Sequence, residues 1–143
     1  MYHPTTSRKH QIMPTDEHHF SLLLHTIRSL LGPQGCPWDQ KQTILSLKKY
    51  FVEEFAEIIT AIDNNDPDNL CEELGDMLFL VILMAEINKK NDAFTLRDIL
   101  RNINEKMIRR HPHVFAGGEK GTVEELEKQW RAIKSQEKVK KTN

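Results

Sequence analysis

The residues of this chain best suited to chemistry are acidic, and they come in two matching sets. Glu53, Glu54 and Glu57 lie within "FVEEFAEIITAI", residues 51–62, and Glu72, Glu73 and Asp76 within "LCEELGDMLFLV", residues 70–81. Advancing the first segment by nineteen positions lays it on the second. Apolar residues then meet at Phe51/Leu70, Phe55/Leu74, Ile58/Met77, Ile59/Leu78 and Ile62/Val81, acids at Glu53/Glu72, Glu54/Glu73 and Glu57/Asp76, and small residues at Ala56/Gly75. At about 100° per residue, Glu54 stands roughly 60–70° from the centre of its apolar stripe, with Glu57 on the same side. Glu73 and Asp76 repeat the arrangement, and residues three apart are neighbours on a helix surface. If the two helices form a hairpin, Glu54, Glu57, Glu73 and Asp76 face one point. Glu53 and Glu72 lie further round, toward solvent or a supporting role.

Single acids beside an apolar stripe are ordinarily a solvated flank or the partners of lysines. Four converging carboxylates with few basic residues nearby repel one another and raise each other's pKa. A bound divalent cation resolves that conflict, and ligation by oxygen alone suits a hard ion such as Mg²⁺ or Mn²⁺. A di-iron bundle wants Glu-x-x-His on its helices, and neither segment has the histidine. Gly75 weakens a helix, which suggests a close approach by a neighbouring one.

Further along, Lys106, Arg109 and Arg110 stand at i, i+3 and i+4 and share one helical face. They suit phosphate oxygens, or equally a solvated basic last turn favoured by the helix dipole. Trp130 shares the apolar stripe of Val123, Leu126 and Ile133, the pattern of a core residue or of a stacking platform. Trp38, in "CPWD", either closes over a site or staples the helix that follows. His111 and His113 have a spacing seen in metal sites, but no further histidine or cysteine nearby completes one, so they read as loop structure. Cys36 has no evident base beside it and makes a poor nucleophile.

These residues need elements to hold them. With 143 residues, the chain reads as one domain, long enough to bury a core without staples. The formal net charge of −1 gives no reason to expect a nucleic-acid polymer or a membrane surface as partner. Two cysteines without a CxxC pair point to a reducing, cytoplasmic setting. The longest apolar run, "MLFLVILMA" at 77–85, falls well short of the roughly 20 residues of a membrane span and reads as a buried helix.

Residues 1–16 read as a flexible polar tail without the apolar region of a secretory signal. Helical periodicity covers 17–31, and "GPQGCPWD" interrupts it. The next helix is capped by Asp39 with Gln42, or by Thr43, and runs to about Ile62. After the turn "DNND", Asp66 and Pro67 fit the cap and first position of a helix over 67–90. Thr95 and Asp98 cap another, which ends near His111 because Pro112 follows. "HPHVFAGGEKG" reads as a loop, and Thr122 with Glu125 opens the last helix. Residues 17–137 form the expected catalytic domain, and 138–143 a frayed end. With no convincing strand, the class is all-α, an antiparallel bundle of about five helices.

The two acidic segments also resemble the Glu-Glu-x-x-Glu … Glu-x-x-Asp signature of MazG-type all-α nucleoside triphosphate pyrophosphohydrolases. "GCPWDQKQT" and "INEKMIRRHPHVF" are similar to flanking segments of the same family, so the likeness spans roughly residues 20 to 135. The resemblance implies Mg²⁺-dependent hydrolysis of nucleoside triphosphates to the monophosphate and pyrophosphate, a house-cleaning role in the nucleotide pool. It implies a homodimer or a dimer of dimers. Carried over by motif, the metal ligands are Glu54, Glu57, Glu73 and Asp76, with Glu54 or Glu57 the better candidates to orient the attacking water. The family likeness favours substrate contact for Lys106 and Arg110, with Arg109 beside them, and in "ELEKQW" it places an aromatic, Trp130, beside the nucleotide. Many such proteins carry two of these domains in tandem, whereas this sequence has room for one. The competing reading is a non-catalytic helical module that senses nucleotides or binds a partner through its acidic face.

Overall fold

The computed structural model describes residues 14–142, and among these the protein is all-α: α1 (Asp16–Leu31), α2 (Pro37–Gln40), α3 (Ile44–Asp63), α4 (Pro67–Lys90), α5 (Leu96–Arg110), α6 (Pro112–Phe115) and α7 (Val123–Thr142), with no strand. The chain divides into two compact units, one ending at Ile87 and one beginning at Asn88, so the boundary falls near the end of α4. The expected flexible tail lies almost wholly outside the described residues. Among them, no helix is long and apolar enough to cross a membrane.

In the first unit, Thr15 caps α1, its side chain accepting from the His18 N–H. The chain reverses through Gly32–Gly35, where the Cys36 N–H reaches the Leu30 carbonyl at 2.8 Å. Gly35 is dictated by space: a Cβ there would lie 2.1 Å from the Leu30 carbonyl oxygen. Part of the expected loop is helical, because Pro37 pre-sets the first position of α2. Of the two caps the sequence offers for α3, the structure uses Thr43, in a reciprocal box with Ser46, while Asp39 is a buried member of α2.

The α3–α4 turn has a fully specified geometry. The Asp66 N–H bonds the Ala61 carbonyl and the Asn65 N–H that of Ile62, both at 3.0 Å, with Asn65 at φ 52°. This is a Schellman ending with asparagine in the left-handed position. Asp66 then accepts from the Asn69 N–H at 3.1 Å, and Pro67 opens α4 as its spacing predicts.

The core of this unit comprises Ile27, Leu31, Leu47, Ala61, Leu80, Ile82, Leu83, Ala85 and Ile87. Arg28 makes a two-point pair with buried Glu86, both bonds 3.2 Å long. The repeated apolar stripe behaves otherwise. Phe55 is 61% exposed, and Ile59, Ile62, Leu74 and Leu78 are exposed with it. Periodicity shows that a face is apolar; it does not show whether its partner lies in the same chain. Gly75 corrects a second expectation, since a Cβ there would meet nothing within 4 Å among the described residues, so none of the described helices requires a glycine there.

In the second unit, α4 stops at Lys90, and the turn after it puts Asp92 in the left-handed conformation (φ 54°), with the Ala93 N–H reaching back to the Asn88 carbonyl. Thr95 and Asp98 form the expected capping box of α5. At its other end His111 leaves helical geometry ahead of Pro112, and its Nδ1 lies 2.6 Å from the Met107 carbonyl oxygen. Residues 112–115, expected as loop, make the single turn of α6. Thr122 and Glu125 cap α7 reciprocally. That helix continues to Thr142, through most of the lysine-rich segment that the sequence sets apart as frayed.

Candidate functional site

The acids meet across the α3–α4 hairpin. Glu54, Glu57 and Glu73 each place a carboxylate oxygen within 4.8 Å of the others. Glu73 is only 8% exposed, Glu54 is half-buried, and Glu57 is open to solvent. Asp76 is exposed and stands outside that close trio, yet near enough for its charge to raise the pKa of both Glu54 and Glu73. Glu53 and Glu72 are exposed, on the outer side where the helical angle puts them.

The electrostatics are those of a crowded anionic site. Burial pushes the Glu73 carboxyl up to about 7, helped by the charge of Glu57, a hydrogen bond with Glu57, and the charges of Glu54 and Asp76. Glu54 is raised first by burial, then by Asp76 and Glu57, against a hydrogen bond from Glu73 that lowers it. The arginine ion pairs do not relieve this: Arg28, Arg101, Arg109, Arg110 and Arg131 go to Glu86, Asp98, Glu137 and Glu127. Glu54 Oε2 is buried without a hydrogen-bond partner. A buried oxygen of this kind ordinarily has one, and an all-oxygen set of carboxylates matches a hard divalent cation. The residues present therefore fit such an ion.

Trp38, also in this unit, packs edge-on against Tyr50 with ring centres 5.7 Å apart. That contact ties α2 to α3, as the stapling reading has it.

The second unit brings Arg109, Arg110 and Trp130 together. The Arg110 guanidinium lies 5.2 Å from the centre of the Trp130 ring, and Lys134 Nζ lies 5.1 Å from the same centre. Both arginines are held by one acid that the sequence reading does not single out, Glu137. Its carboxylate accepts from Arg109 Nε at 2.7 Å and from Arg110 Nε and Nη2 at 3.1 and 2.6 Å. Hydrogen bonds from Arg110 and then Arg109 hold its pKa down at about 2. A signal was present: Trp130, Lys134 and Glu137 stand at i, i+4 and i+7, one face of a helix. Lys106 is half-buried, one turn before Arg110. A groove of about 480 Å³ opens beside Trp130, walled also by Arg110, His111, His113, Leu126 and Glu127. The two histidines, expected as loop structure, thus line a cavity; their rings lie 5.6 Å apart, and His113 Nδ1 is buried without a partner.

The chain has close likenesses among known proteins. The family model of the MazG nucleotide pyrophosphohydrolase domain matches residues 42–115. A nucleoside triphosphate pyrophosphohydrolase/pyrophosphatase MazG of Thermotoga maritima is 49% identical over 122 residues, 85% of this chain and 46% of that protein. The uncharacterized protein YabN of Bacillus subtilis is 47% identical over 121 residues, 85% of this chain and 25% of that one. A nucleoside triphosphate pyrophosphohydrolase of Escherichia coli is 39% identical over 120 residues, 83% of this chain and 46% of that one. The chain thus spans less than half the length of each of these relatives. Among solved structures, a mazG-related protein from Thermotoga maritima superposes with a TM-score of 0.68 at 35% identity, covering 80% of this chain and 98% of that one. With the family model matching more than half of its length, this chain belongs to the MazG nucleotide pyrophosphohydrolase domain family.

Proposed function

We propose that this protein hydrolyses nucleoside triphosphates to the monophosphate and pyrophosphate, with Mg²⁺ as its cofactor and Mn²⁺ as a substitute, as a cytoplasmic house-cleaning enzyme of the nucleotide pool. The observation that carries this reading is the Glu54, Glu57, Glu73 trio with its partnerless buried oxygen. Those three and Asp76 are the residues to hold the ion. When bound, a divalent ion neutralises phosphate charge and lowers the pKa of a coordinated water.

The chain's own groups supply the rest. Glu54 or Glu57 accepts a hydrogen bond from the attacking water and orients it toward the α-phosphorus, then takes its proton. The new P–O bond forms there as the bond to the bridging oxygen breaks, and pyrophosphate leaves. Lys106, Arg109 and Arg110 are the proposed donors to phosphate oxygens, Arg through its planar fork and Lys as a point charge. Trp130 is the proposed stacking surface for the base, with Trp38 a secondary candidate held by Tyr50.

The same reading includes a homodimer, alone or paired into a dimer of dimers. The exposed apolar face of α3 and α4 supports it. Leu45 is 79% exposed, and with Ile44, Phe51, Val52, Phe55 and Met77 it lines an open apolar groove of about 800 Å³. A contiguous patch of this kind on a small protein is characteristic of an interface.

The deciding experiment incubates the protein with each nucleoside triphosphate and Mg²⁺ and assays pyrophosphate. Release of pyrophosphate, lost in Glu54→Gln and Asp76→Asn, is the expected result. Orthophosphate as the sole product, or full activity in both variants, overturns the reading; metal-independent nucleotide binding without turnover establishes the sensing module instead.

A further inference from the structure

We infer that Glu137 is a positioning residue for the triphosphate, fixing Arg109 and Arg110 in the orientation in which their remaining N–H groups receive phosphate oxygens. The inference rests on the reading that these arginines contact substrate.

A guanidinium carries five N–H donors. Glu137 engages one nitrogen of Arg109 and two of Arg110, so each arginine keeps most of its donors, while the two-point contact fixes the plane of Arg110 and the single bond anchors Arg109 at Nε. Arg110 is the more firmly held, its side chain and that of Glu137 being 12% and 18% accessible; Arg109, tied through one bond, is 53% accessible. An unpaired arginine at a helix end must lose rotamer freedom when it meets a ligand, a cost that falls on binding. Glu137 removes that cost in advance.

The carboxylate has a second effect. Arg110 and Lys134 both lie within about 5 Å of the centre of the Trp130 ring. Two cations around one ring repel each other unless an anion stands nearby, and Glu137 is that anion. It therefore fixes the position of a phosphate donor relative to the proposed base-stacking ring, and joins the two ends of the recognition apparatus within this unit.

The test compares Glu137→Gln and Glu137→Ala. Glutamine keeps the length and one acceptor oxygen; alanine keeps neither. Ala132→Gly, at an exposed position of the same helix, serves as a control that loosens α7 without touching the pair. The expected result is a graded rise in KM for nucleoside triphosphate, about tenfold in Glu137→Ala and less in Glu137→Gln, with kcat little changed. The control lowers Tm but leaves KM alone. Calorimetric binding of the α,β-methylene analogue of ATP reads the same order without turnover. If the wild type releases no pyrophosphate yet Glu137→Ala weakens analogue binding, the functional reading falls and the positioning role stands. If either folded variant binds and turns over as the wild type does or more tightly, Glu137 is a brake or a structural pair, and the inference is overturned. Should Glu137→Ala fail to fold, Glu137→Gln alone decides it on the same terms.

Discussion

Glu57 on α3 and Glu73 on α4 hold carboxylate oxygens within 4.8 Å of each other; burial first, and then the charge and hydrogen bond of Glu57, push the Glu73 carboxyl up from 4.5 to about 7. On the proposed function, a proton and the divalent cation would be alternative occupants of this site. In the metal-free protein, the folded state binds more protons than the unfolded chain between about pH 4.5 and 7, so stability falls as pH rises through that window and levels off above it. Glu54 is shifted in the same direction. Glu137 works oppositely: its folded pKa of about 2 makes its contribution present above 4.5 and lost as pH drops toward 2. Thermal melts in a chelating buffer are thus expected to peak between these two limbs and decline toward neutrality. Saturating Mg²⁺ flattens the upper limb, because the ion replaces the proton. A metal-free Tm that climbs steadily from pH 5 to 8 contradicts this account.

Neutral isosteres at the trio separate function from stability. In Glu73→Gln or Glu54→Gln, one of several repelling charges disappears, so the metal-free protein at pH 8 is expected to melt higher than the wild type. On the proposed function the same variants also lose a metal ligand, and kcat/KM is expected to fall on the order of a hundredfold or more. The Mg²⁺-induced rise in Tm shrinks in parallel. The check is a pair of melts, with and without Mg²⁺, beside a pyrophosphate assay. A variant that loses both stability and activity would show the acids to be structural.

The link between α1 and α2 admits no side chain at Gly35. The Leu30 carbonyl oxygen, 2.1 Å from where a Cβ would stand, also accepts the Cys36 N–H, so it cannot withdraw freely. Gly35→Ala is expected to destabilise by about 1–3 kcal/mol, as overpacking does. Trp38 begins three residues on and packs on Tyr50, so its near-ultraviolet circular dichroism changes as well. Chemical denaturation and that spectrum are the measurements; Gly32→Ala, where the nearest atoms stand at 3.4 Å, is expected to be far milder.

How much of this was legible in the sequence follows from the range of each signal. Caps are local, so Thr43, Asp66, Thr95 and Thr122 announce their helices from residues three positions away, and the structure places them so. The convergence of Glu54, Glu57 and Glu73 was readable because a short turn makes the hairpin nearly obligatory and the acids repeat at one angle. Glu137 was legible only in part: its i, i+4, i+7 spacing with Trp130 and Lys134 puts the three on one helical face, but its arginine partners lie 27 and 28 residues away, beyond the reach of any local pattern. Nor was the fate of the apolar stripe: Phe55 and Leu74 look like core in any helical projection, and only the folded chain shows that Leu47, Ile82 and Leu83 fill that role.

That stripe makes a direct prediction about assembly. Leu45, Val52, Phe55, Ile59 and Ile62 of α3, with Leu74 and Leu78 of α4, leave apolar area in water. At roughly 25 cal/mol per Å², covering even a few such side chains contributes several kcal/mol. A two-fold interface uses one patch on both copies, so each substitution there counts twice. Phe55→Glu is therefore expected to convert a dimer into monomers, at little cost to the folding of the single chain, because Phe55 already faces solvent. Light scattering behind size exclusion measures it, with Val114→Glu on the second unit, also well exposed, as a control that leaves the mass unchanged. A wild type that runs as a monomer at every concentration tested, or a Phe55→Glu protein that remains dimeric, places the association elsewhere or nowhere on this face.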